Sequence, residues 1–334
     1  MNYSLGNMLV NGGSLNPDGL ALDLQFAVDR TLTARKGPTP TFTRASSATF
    51  IGSNGLIQSA AINTPRFDHN PTTLVCRGLL IEESRTNLVF PSDTLSTQTR
   101  TVTATAHTLS FYGTGTIVLS GVHVATVVGT GAYPTRTTLT FTPTAGSLTL
   151  TVTGSVTQAQ LEVGSFPTSY IPTTTASVVR SADVCSITGG DFSRVYNQSE
   201  ITLFAEASPM SHSGFGSYLS FDNGTPDEQA ALVGFPSPNT AQCYVVDNGS
   251  IQSNVSIGVS LNQNNKMAAA MMSNSFQLSV NGAIGTQDST GSMPTASNLK
   301  IGRSWNSSVT SGTYRQVRVY KKRLANSKLQ SLTT

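Results

Sequence analysis

Apolar and polar residues alternate with a period of two over much of this chain, a pattern that predicts strands rather than helices. Thr108–Tyr112, Thr116–Ser120, Val122–Val128, Arg136–Thr142 and Ser147–Thr153 each place apolar residues at every second position, with threonine opposite and glycine-rich turns between. A sheet of this kind buries one face and leaves β-branched hydroxyls on the other, which predicts a β-sandwich. Upstream, Leu20, Leu22, Leu24 and Phe26 alternate with Ala21, Asp23 and Gln25 before a break at Lys36–Pro40, the pattern of a strand and a linker. Ser53-Asn54-Gly55 stands between Phe42–Phe50 and Leu56–Ser59 and predicts a hairpin, because Asn-Gly accepts the positive φ angles of tight turns. A second hairpin enters through Pro65–Asp68, turns at His69–Thr72 and leaves through Cys76–Asn87. Further on, Ile201–Ala207, Lys266–Met272, Ser275–Gly282, Leu299–Ser304 and Gly312–Leu324 read as longer strands, followed by a short helical tail to Leu332. The expected fold class is all-β, with tandem β-sandwich domains behind a short N-terminal segment.

At 334 residues the chain suits two or three compact units, since single domains usually run to about 100–200 residues. Charged residues make up only 11%, well below the roughly 25% of an ordinary soluble domain. A surface so poor in charge does little to keep copies apart, so the composition favours a homo-oligomer or a protein covered by partners. No run is long and apolar enough to span a membrane, and Met1–Gly13 lacks the basic-then-apolar order of a signal peptide, so neither membrane insertion nor secretion is expected. Cys76, Cys185 and Cys243 lie far apart without disulfide or CxxC spacing and read as buried thiols of a protein assembled in a reducing cytoplasm. Charge is unevenly spread: after Asp288 there is no acidic residue, while Lys300, Arg303, Arg315, Arg318, Lys321, Lys322, Arg323 and Lys328 follow. Tyr314 and Tyr320 accompany this run in what reads as a closing strand, so it reads as a solvated strand and helix before an anion contact, and nucleic acid is not an expected partner.

The stretch from Phe42 to His69, followed by Arg77-Gly-Leu-Leu-Ile-Glu-Glu-Ser-Arg-Thr-Asn-Leu88, resembles a module of bacteriophage virion structural proteins, tail-fibre and minor structural proteins among them. Thr157–Pro172 resembles the last strand and exit of a carbohydrate-binding-module-like jelly roll. From about Arg180 to Thr334 the order of strands resembles the concanavalin A-like or laminin-G-like lectin fold. These resemblances imply an N-terminal attachment segment (1–40), a β-hairpin connecting module (41–89), a jelly-roll module (90–172) and a lectin-like domain (180–334). The implied protein is a virion component assembled in the host cytoplasm, a tail fibre or appendage that adheres to host-surface polysaccharide. A trimer is the favoured oligomer, with other virion proteins contacted through the N-terminal segment. A capsid decoration or head fibre, and a glycan depolymerase, are the alternatives.

Catalytic chemistry finds little support. Glycan hydrolysis on such a sandwich needs two carboxylates spaced across the bond, commonly as ExDxxE. The acids Asp183, Asp191, Glu200, Glu206, Asp222, Asp227, Glu228, Asp247 and Asp288 never take that spacing, and Glu200 and Glu206 are far apart on an extended strand. The histidines at 69, 107, 123 and 212 form no zinc motif, while Asp222-Asn-Gly and Asp247-Asn-Gly are turn signatures before they are calcium loops. No nucleophile elbow or phosphate-binding loop is present, so the chain is expected to be a non-enzyme without metal or cofactor. A sugar site needs an aromatic platform with polar groups beside it. Trp305, with Asn306 in the polar loop behind it and Tyr314 beyond, is the candidate ligand-binding set; Tyr112 and Tyr133 rank lower.

Overall fold

A computed structural model describes residues 18–212, 216–236 and 239–334, leaving residues 1–17 of the expected attachment segment outside the described residues. Two sheets face each other across the main core, one of eight strands and one of seven. The first runs, in order, Ala283–Ile284, Ser275–Val280, Asn265–Met272, Glu200–His212, Thr310–Tyr320, Cys76–Ile81 and Phe67–His69, with Leu20–Leu24 also paired to Thr310–Tyr320. The second runs Thr41–Thr43, Val184–Thr188, Asn298–Ile301, Gly216–Asp222, Gln229–Pro236, Asn239–Asp247 and Ser250–Gly258. Between them Leu203, Met267, Met271, Phe221, Leu232 and Val317 are fully buried.

The unbroken apolar run Met267–Met271 departs from alternation because both of its faces are covered. Met267, Ala269 and Met271 point into the sandwich, whereas Ala268 and Ala270 lie in a second cluster with Phe204, Leu324 and Leu329. The helix Asn326–Thr333 provides that cover, with Leu329 and Thr333 on its buried side.

The structure joins what sequence patterning kept apart. Leu20–Leu24 and Cys76–Ile81 lie end to end along one edge of Thr310–Tyr320, through Leu24↔Val317 and Tyr314↔Leu79. Thr41–Thr43 likewise pairs with Val184–Thr188. Segments expected as an attachment piece and a connecting module are therefore the first strands of the C-terminal sandwich. A lone strand cannot bury its apolar side, and Leu22, Leu24, Leu79 and Ile81 do so by filling this core. Gly78 permits the contact: it has φ +106°, and a Cβ there would come within 1.9 Å of the Tyr314 carbonyl oxygen.

The jelly roll is an insertion into this sandwich. Its sheets, of strand order Ala125–Val128, Thr116–Gly121, Gly146–Thr153, Gln98–Val102 and Thr137–Phe141, His107–Tyr112, Thr157–Val163, enclose a core of Leu109, Phe111, Ile117, Leu119, Leu148 and Leu161. Expected strands recur here within a few residues, with Gln98–Val102 added and Val122–Val128 shortened. Entry and exit meet in an antiparallel ribbon, Arg85–Asn87 with Val178–Arg180. The fully buried Asn87 amide fastens that root, donating to the carbonyls of Ala159 (3.0 Å) and Ile171 (2.8 Å) and accepting from the amides of Val89 and Leu161. The fold is all-β, as expected, with two β-sandwiches, one nested in the other.

Candidate functional site

Where the insertion meets its host, a buried ion network forms a floor. Glu82 ends the apolar run Leu79–Ile81, and its carboxylate faces Arg66 (2.7 Å) and Arg180 and accepts hydrogen bonds from the Ser169 amide and hydroxyl (2.7 Å each). Asp183 takes Arg66 on one oxygen (2.5 Å) and Arg44 on the other (3.1 Å), and accepts from the Glu82 amide as well. All five side chains are essentially without solvent exposure. Burial works against ionisation of Glu82, yet Arg180 and Arg66, with the Ser169 donors, draw its pKa down to about 2. Three hairpin-module residues, one from the jelly-roll exit and two from the entry to the last domain thus share one polar core.

Above this floor opens a cleft of about 600 Å³. One wall is the jelly roll, with Tyr112, Tyr133 and Arg136; the opposite wall is the hairpin pair, with Ile57, Asp68 and Arg77; Ser208, Met210 and Thr313 of the large sandwich close the end. The Tyr112 and Tyr133 rings lie 5.2 Å apart, tilted by 56°. Tyr112 is buried and Tyr133 half-exposed, its hydroxyl donating to the Gly55 carbonyl at the hairpin tip. Arg136 donates to the Thr168 carbonyl (2.6 Å) and the Ser110 hydroxyl (2.7 Å). Asp68 accepts from the Ile51 amide (2.8 Å) and lies 3.5 Å from Arg77. Burial raises the Asp68 pKa to about 6, against the lowering effect of the Ile51 amide and Arg77.

The residues singled out from sequence fall elsewhere. Tyr314 is wholly buried in the main core, its hydroxyl donating to the Thr310 carbonyl (3.0 Å), so its ring is closed to a ligand. That corrects its place in the candidate set: on a strand paired along both edges inside the sandwich, an inward tyrosine becomes packing. Trp305 is half-buried and Asn306 exposed in a tight turn, where the Asn306 side chain accepts from the Ser308 amide (3.0 Å); neither lines the cleft. Tyr112 and Tyr133, ranked below them, are the aromatic pair that the fold brings together.

Half of the basic C-terminal run is met by acids from earlier in the chain. Lys300 pairs with Asp222 (2.8 Å), Arg315 with Glu206 (3.1 Å), Arg318 with Asp23 (3.1 Å) and Lys328 with Asp18 (2.9 Å). Glu200 accepts from the Arg323 amide, and Asn248 and Gly249 take up positive φ in a hairpin turn. Among the described residues no three His, Cys, Asp or Glu side chains gather as metal ligands. Cys185 and Cys243 are buried and Cys76 half-buried, all three as free thiols.

No protein-family model matches the chain, and no curated protein matches it. Similar solved structures include the CBM40 module of the Ruminococcus gnavus IT-sialidase bound to α2,3-sialyllactose, at 17% identity and a TM-score of 0.38, covering 43% of this chain and 86% of that one. A leech intramolecular trans-sialidase gives 15% identity and a TM-score of 0.38 over 44% of this chain and 26% of its own. A heptameric SAP-like pentraxin from Limulus polyphemus gives 15% and 0.33 over 40% and 70%.

Proposed function

We propose that this chain is an adhesive virion component, a tail fibre or other appendage, and that it holds a host-surface glycan in the cleft between its two sandwiches. The observation that carries the reading is the Tyr112–Tyr133 pair, which offers the half-exposed Tyr133 ring to a cleft also lined by Arg77, Arg136, Asp68 and Ser208. A sugar ring has an apolar face that packs on an aromatic ring and a rim of hydroxyls that needs convergent donors and acceptors; the cleft supplies both. Its volume is within the roughly 300–1,000 Å³ usual for small-ligand sites, room for a few sugar units. Rigid backing matters as well, because the cleft walls belong to different units and the ion network beneath them fixes their spacing. Virion attachment, and with it the trimer usual in fibres, rests on the resemblance of the Phe42–Leu88 segment, and oligomerisation as such on the low charge content.

The test is a glycan array probed with the full chain and with Tyr133→Ala. Retention of host-surface glycans by the wild type, lost at least tenfold in the variant, supports the reading; equal retention by both removes the cleft from it. Light scattering for subunit number and antibody labelling of intact particles test the second half. Label confined to the tail supports an appendage, and label spread over the head favours capsid decoration.

A further inference from the structure

The cleft has more positive charge than it uses. Glu82, at its base, is consumed by Arg66, Arg180 and Ser169. Among the described residues of the cleft lining, that leaves Asp68 as the one remaining carboxylate, beside Arg77 and with Arg136 in the same lining. Arg136 is held by neutral oxygens alone, and among the described residues no carboxylate lies within ion-pair distance of it. Arg77 keeps 45% of its side chain exposed and meets Asp68 only at 3.5 Å, beyond a good charge-assisted hydrogen bond. A neutral sugar gains nothing from this surplus, whereas an acid group would complete it.

Granted that the cleft is the glycan site, we propose that it selects a sugar unit bearing a carboxylate, whose ring packs on Tyr133 and whose acid group pairs with Arg77 in place of Asp68. Asp68 then acts as an internal competitor for Arg77. The groups facing it are Arg77 and the Ile51 amide from the hairpins, Arg66 and Glu82 from the floor, and Tyr112, Tyr133 and Arg136 from the jelly roll. Among the described residues the sandwich end contributes the uncharged Ser208, Met210, Asn262 and Thr313. Because burial brings Asp68 into the range near pH 6, acidification neutralises it, removes the repulsion against an incoming carboxylate and frees Arg77. Affinity for the acidic glycan therefore rises as pH falls through about 6, while the sugar carboxylate stays ionised.

The experiment is calorimetric titration of the full chain with acidic oligosaccharides drawn from the array and with the same oligosaccharides after carboxyl reduction, at pH 5 and pH 7.5. The acidic form should bind about tenfold more tightly, as one desolvated charge-assisted contact implies. Arg77→Ala should erase that preference, so that the acidic and reduced forms bind alike. The wild type should tighten several-fold at pH 5, and Asp68→Asn should bind tightly at both values. Equal affinity for acidic and reduced forms overturns the inference and leaves the glycan site standing. Failure of both forms to bind, or binding unaffected by Tyr133→Ala, overturns the site itself and the inference with it.

Discussion

The floor of the cleft and its walls are built from the same ionic residue types and put them to opposite use. Below, Arg44, Arg66 and Arg180 are buried against Glu82 and Asp183, and the geometry is closed. Above, Arg77 and Arg136 are held loosely or by neutral groups, and Asp68 is a carboxylate whose charge is marginal. Saturated ion pairs specify structure, since each buried charge requires its partner; unsaturated ones are poised for something that arrives from outside.

That contrast is broken most severely from below. Glu82→Ala leaves Arg66 and Arg180 buried without a counter-charge, and a loss of about 3–5 kcal/mol is expected, enough to unfold a marginal protein. Chemical denaturation with circular dichroism measures it, and a loss under about 1 kcal/mol would mean that the floor is not closed. Next comes the pH response of Asp68. Its folded pKa of about 6 lies above the unfolded 3.8, so the native state holds the proton more tightly. Stability is therefore greatest below about pH 4 as far as this group is concerned, and declines as pH rises from about 4 to 6, by roughly 2–3 kcal/mol. Asp68→Asn should flatten that slope in denaturation curves at pH 4.5 and 7, and an unchanged slope would place the titration elsewhere. Leu329→Ala, far from both regions, should cost about 2–4 kcal/mol by uncovering Ala268 and Ala270 while leaving glycan binding intact. Smallest in stability is Tyr133→Ala: about 1 kcal/mol from a half-exposed ring, against a tenfold or greater loss of binding.

The contrast also marks how far the sequence could be read. Strand periodicity located most of the jelly roll and the long strands 200–212 and 310–320, because alternation is a local property. Pairing is not local. Nothing in Leu20–Leu24 announces that its partner is Val317–Tyr320, so the nesting of one sandwich in another emerged only from the structure. The ion network was not read from the sequence: Glu82 follows Gly-Leu-Leu-Ile, but its arginines at 66 and 180 stand at separations no spacing rule covers. For the site, singularity misled. Trp305 drew attention as the lone tryptophan, whereas Tyr112 and Tyr133 lie in separate segments of a threonine-rich module, and only folding sets their rings 5.2 Å apart. The basic run, conspicuous in sequence, has four of its eight charges paired with acids that precede it, partners that no local pattern announces.

A crystal structure of the full chain with the best-retained array glycan bound tests the central claim most directly. The expected result is a sugar ring packed on Tyr133 inside the cleft, with Arg77 at its polar rim. A glycan bound at the Trp305 turn or on an outer sheet face, with the cleft empty, would contradict it.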